Sequence, residues 1–150
     1  MKTLLKSLLL FFLIITYGCE NNKLCTTPPA GFSFELVDKT TGENLFTNGT
    51  YNSKDIIVKN LDDSSAKVEF KLISENNYNV LTFSSIGWKT ETINYSVNIG
   101  EKKIFEFYVK AKRITKDCSH TEYDGFEIKN ASYQFNQNTG IYKILIDTSI

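Results

Sequence analysis

The chain has little of what usually carries chemistry. In 150 residues it holds one histidine, one tryptophan, one methionine, two prolines and three cysteines. A single histidine, His120, excludes the paired-imidazole metal motifs. No Gly-x-Gly-x-x-Gly or Gly-Lys-Ser/Thr segment occurs, so neither common phosphate-cradling loop is encoded. No Gly-x-Ser-x-Gly turn is present to expose a nucleophilic serine. Net charge is lacking too: 17 Lys+Arg stand against 17 Asp+Glu. A nucleic-acid partner would need a basic face, so none is expected. After residue 20, no window keeps apolar residues at helical spacing over three turns, which excludes an amphipathic-helix fold. What the chain does have is rings. Its 11 Phe and 8 Tyr are enough to fill the core of one domain of this length.

The N-terminus reads as an address. Met1-Lys2-Thr3-Leu4-Leu5-Lys6 is cationic, and Leu8 to Ile15 is continuously apolar. That run is shorter than the roughly 20 residues of a spanning helix and has the proportions of a signal-peptide core. It ends at Thr16-Tyr17-Gly18-Cys19. Gly18 before Cys19 resembles the lipobox of small bacterial (Bacteroidetes-like) lipoproteins, with Thr16 where that family usually has Leu. The resemblance implies cleavage before Cys19, lipidation of its thiol, and a location in the cell envelope, on the outer membrane. Removing residues 1–18, which hold Lys2 and Lys6 and no acid, leaves a slightly acidic mature chain.

If Cys19 carries lipid, the odd cysteine count resolves. Cys25 and Cys118 are then free to pair across most of the domain, the alternative being two separate thiols. In the chain-entropy model such a bridge contributes about 4–5 kcal/mol. Both prolines, Pro28 and Pro29, lie in residues 19–30, which read as an extended tether. The division is therefore a signal peptide at 1–18, a lipidated tether at 19–30 and a folded domain at 31–150.

That domain alternates with period two. Phe32, Phe34 and Leu36; Val68, Phe70 and Leu72; Ile93, Tyr95, Val97 and Ile99; and Phe105, Phe107, Val109 and Ala111 are each interleaved with polar residues. These are half-buried strands. Denser runs at 56–58 and 141–146, with segments at 79–84 and 131–135, bring the expected count to eight or nine. Gly- and Asn-containing turns separate them. The fold class expected is all-β: an antiparallel two-layer β-sandwich, Ig-like or transthyretin-like. Phe34 to Leu45, with Asp38 and Thr41-Gly42 between two apolar stretches, resembles the opening hairpin of transthyretin-like and collagen-adhesin B-type domains. In such a hairpin Asp38 accepts backbone N–H groups and Gly42 supplies positive φ.

Two places invite a functional reading. Asp117, His120, Glu122 and Asp124 form a polar cluster beside Cys118. Their spacing matches no established ligand pattern, so a solvated loop is the expectation, with no metal, no cofactor and no catalytic set; the alternative is a metal-dependent enzyme site around residues 117–124. Trp88 is the lone tryptophan. It is expected to plug the core between the sheets; the alternative is a glycan-stacking platform with Tyr51, Tyr78, Tyr123 or Tyr133. Lys110, Lys112, Arg113 and Lys116 read as a solvated strand end. The functional expectation is a non-catalytic interaction or scaffold module held to a membrane by lipid, with a protein or glycan partner in the envelope.

Overall fold

The computed structural model describes residues 25–75, 78–116 and 118–149. The leader, Cys19 and Asp117 lie outside the described residues.

The described chain forms nine strands: β1 (Phe32–Asp38), β2 (Ile56–Asn60), β3 (Lys71–Glu75), β4 (Tyr78–Phe83), β5 (Glu91–Ile99), β6 (Lys102–Ile114), β7 (His120–Lys129), β8 (Ser132–Asn136) and β9 (Ile141–Ile146). They make a five-stranded sheet in the order β3-β4-β1-β9-β8 and a four-stranded sheet in the order β2-β5-β6-β7. The two sheets bury their alternating apolar faces against each other, giving a β-sandwich. Phe34, Phe83, Phe105 and Phe107 are fully buried at its centre. Their rings meet at centroid distances of 4.8–6.1 Å in tilted and edge-on pairs, the geometry favoured by the ring quadrupole.

Among the nine strands the pairing is antiparallel with one exception. β9 runs antiparallel to its hairpin partner β8 and returns beside the first strand, so it lies parallel to β1 from Ser33↔Ile141 to Asp38↔Ile146. The Asp38 turn forms as its chemistry requires. Asp38 Oδ1 accepts the N–H groups of Thr40 and Thr41 at 2.8 Å, and Gly42 has φ 74°. Leu45 and Phe46, however, form no second strand; the return is a single bridge from Val37 to Asn44. The strand expected around Val68 begins only at Lys71. Ser96 and Asn98, expected to face water, are buried, and Asn98 Nδ2 donates to Ser96 Oγ at 3.0 Å.

Residues 120–129 form strand β7 rather than a solvated loop. The register with β6 slips between Lys110↔Gly125 and Ala111↔Tyr123. The slip is a bulge around Asp124 that shifts the inward phase from Thr121 and Tyr123 to Phe126 and Ile128. It hides a period-two pattern from a linear reading.

Residues 25–30 are docked on the sandwich as a strap. Cys25 is disulfide-bonded to Cys118, 93 positions away. Thr26 bridges Ser119, Thr27 N–H donates to Ser119 O at 2.7 Å, and the Tyr123 hydroxyl donates to Ala30 O at 3.0 Å.

Candidate interaction surfaces

Two surfaces stand out, and each begins with aromatic side chains that the fold leaves in the open.

The first is at the strapped end. Phe32 pairs with Phe83, Glu91 with Ala111, and Ile114 with His120. The strap, the 84–90 loop and the two ends of the β6–β7 connection therefore share one end of the sandwich. Trp88 lies on that loop and is 56% exposed, so it does not plug the core. The core between the sheets is already closed by phenylalanines, which leaves no room for an indole. The loop is held by hydrogen bonds on both sides of Trp88. Gly87 N–H donates to Glu91 Oε1 at 2.7 Å, Thr121 Oγ1 donates to Gly87 O at 2.7 Å, and Trp88 Nε1 donates to Ser84 O at 3.1 Å. Arg113 ties the parts together. Its Nη1 donates to Thr27 O at 2.9 Å and to Thr121 Oγ1 at 3.0 Å, while its Cζ lies 5.8 Å from the Trp88 ring centroid. A cation–π contact at an exposed site contributes about 0.5–1 kcal/mol.

The second is along one side. β8 is the end strand of the five-stranded sheet and β7 the end strand of the other. Tyr133 pairs with the core residue Ile144, and Phe135 pairs with Tyr142. Both rings thus belong to the inward face, yet they are 45% and 47% exposed, because the four-stranded sheet stops short of covering them. They extend a chain of rings from the core. Phe126 of β7 lies 4.6 Å from Tyr142, and Tyr142 lies 4.5 Å from Phe135 and 6.0 Å from Tyr133. Burial, with Tyr133 adding to it, raises the Tyr142 hydroxyl above its ordinary value. A recess of about 470 Å³ adjoins Phe135, lined by Gln134, Asn136, Gln137, Asn138 and Lys143.

The remaining candidates are scattered. Tyr51 packs on Phe46 in an open depression of about 490 Å³ at the opposite end, with Asn79 in its wall. There Asn79 is engaged within the protein, accepting from Ser74 Oγ at 2.7 Å and donating to Thr47 Oγ1 at 2.8 Å. Tyr78 begins β4, and Tyr123 is held beneath the strap against Phe32 at 5.3 Å. Trp88 and the four tyrosines therefore do not assemble into one platform. His120 Nε2 faces Glu122 Oε1 at 3.6 Å and its Nδ1 lies 3.0 Å from Cys118 O. Among the described residues, no group of three or more His, Cys, Asp or Glu is placed to hold a metal ion.

No family model, curated protein or solved structure matches the chain.

Proposed function

We propose that this chain is a lipid-anchored envelope protein whose β-sandwich is a non-catalytic interaction module, and that β8 is the edge on which its protein partner docks. The lipobox-like Cys19 motivates the anchor. The observation that carries the docking edge is the pair of exposed rings on it, Tyr133 and Phe135, packed on the half-buried Tyr142.

An unpaired strand edge offers free backbone N–H and C=O groups to any extended segment. Most sandwiches guard such edges with charge, bulges or proline. Here β2 carries Lys59, β3 carries Lys71 and Glu75, and β7 carries Glu122, Asp124, Glu127 and Lys129 together with its bulge. β8 reads Ser-Tyr-Gln-Phe-Asn, with neither charge nor proline. An added strand would gain backbone hydrogen bonds, and its inward side chains would cover the two rings.

A photo-crosslinking residue at Gln134 of the full chain, in its native membrane, tests this. The expected result is a discrete adduct with one identifiable envelope protein, lost in Phe135→Lys. Adducts indistinguishable from those formed at Lys59 on β2 would count against it.

A further inference from the structure

We propose that the Trp88 end of the sandwich rests on the bilayer itself, with the indole at headgroup depth and Lys89, Arg113 and Lys116 facing anionic lipid headgroups. This inference rests on the lipid-anchor reading above and goes beyond it by fixing which end of the domain meets the membrane.

The tether sets the distance. Cys19 and Cys25 are six positions apart, and six residues reach at most about 22 Å when fully extended. Cys25 is not free to drift from the domain. It is bonded to Cys118, and the residues after it are hydrogen-bonded to Ser119, Arg113 and Tyr123. A lipid on Cys19 therefore holds this one end of the sandwich within a short reach of the headgroups. The Tyr51 depression and the Asp38 turn point away.

What that end presents suits the interface. Indole rings favour the headgroup region, where an apolar body and a polar N–H are both accommodated. Trp88 is the most exposed large apolar side chain of those exposed in the structure. It needs no partner for its N–H, which already donates to Ser84 O. Lys89, next in the chain, and Lys116, in the β6–β7 connection at the same end, are exposed, and Arg113 lies over the ring. Of the described acids at this end, Glu91 accepts from Gly87 N–H and Glu122 faces His120, while exposed Glu69 lies by Ser84 and Ser85 on the side towards β3. Basic side chains near an anionic leaflet are drawn to its surface potential.

The loop is also built to hold the ring in place. At Gly87, with φ 93°, an added Cβ would meet the Tyr123 hydroxyl at 2.9 Å, Thr121 Cγ2 at 3.0 Å and Pro29 Cβ at 3.2 Å. The loop is thus wedged between strap and β7, and Trp88 is carried outward by rigid backbone rather than by a loose excursion.

Because Trp88 is the one tryptophan, its fluorescence reports this site alone. The full chain, purified from its membrane with its native acylation, is placed in phosphatidylcholine/phosphatidylglycerol vesicles with and without brominated acyl chains. Mass spectrometry of the same sample records whether Cys19 is acylated. The proposal expects acylated protein whose emission is shifted to shorter wavelength and quenched by the brominated lipid. It also expects weaker quenching in Lys89→Glu/Lys116→Glu. Acylated protein with unquenched, water-like emission overturns this inference and leaves the anchor standing. A mature protein with an unmodified Cys19 overturns the anchor reading and this inference with it.

Discussion

Gly87 occupies a position where a side chain has no room and the backbone is in the left-handed region. Gly87→Ala is expected to destabilise the fold by more than about 1 kcal/mol and to alter Trp88 emission, since the displaced loop would lose the Glu91 and Thr121 bonds. Thermal melts followed by Trp88 fluorescence check both. Asp38 is a second residue with a definite signature. Its carboxylate accepts from the Thr148 hydroxyl and from the Thr41 and Thr40 N–H groups, and these lower its pKa from 3.8 to about 2. A group depressed in the folded state contributes stability above its unfolded value and loses it as pH falls through the folded one. Asp38→Asn should therefore be less stable than the parent at neutral pH, and the gap should close between about pH 4 and pH 2. Ser149 lowers Asp147 in the same direction. Asp38 also acts on Asp147, raising it, so the parent–variant difference in denaturant midpoint reports Asp38 together with that coupling. In the core, Phe107 is fully buried against Phe34, Phe83, Tyr95 and Phe105. Phe107→Ala should cost about 3–5 kcal/mol in equilibrium unfolding.

Among the elements, the strands whose apolar residues alternate were legible from the residues alone, as β1 and β6 illustrate, whereas β5 keeps its alternation only up to the irregularity at Val97 and Asn98. β7 was not legible. One bulge residue near Asp124 moves the inward set from odd to even positions, and no single period describes the strand. The site followed the same logic. Trp88 was legible as a special residue but not as an exposed one, because whether a lone indole fills a core depends on whether phenylalanines from three strands already do. The β8 surface was missed because Tyr133 and Phe135 lie on the inward face. Only the unequal width of the two sheets leaves them uncovered, and that width is a property of topology. Half-exposed Phe135 holds little of the fold. Phe135→Lys should lose no more than about half of the 1.5–3 kcal/mol of a fully buried ring, so any loss of the Gln134 adduct in that variant reports docking rather than unfolding.

At the scale of the molecule, polarity along the long axis is the organising feature. The disulfide, the strap, Trp88 and three basic side chains gather at one end, next to the tether. The ring patch runs along one side, clear of that end except near Phe135. Reducing Cys25–Cys118 should lower stability by about 4–5 kcal/mol in the chain-entropy model and free the strap from β7, seen as a fall in melting temperature with new proteolytic cleavage near Pro28 and Pro29. Both the orientation of the Trp88 end and the envelope setting of the β8 edge require the domain to be tied to a membrane through Cys19. The most direct measurement is the mass of the N-terminal peptide of the mature protein taken from membranes. The account predicts a peptide that begins at Cys19 and carries diacylglycerol on its sulfur. A peptide that begins elsewhere, or a Cys19 with a free thiol, would contradict it.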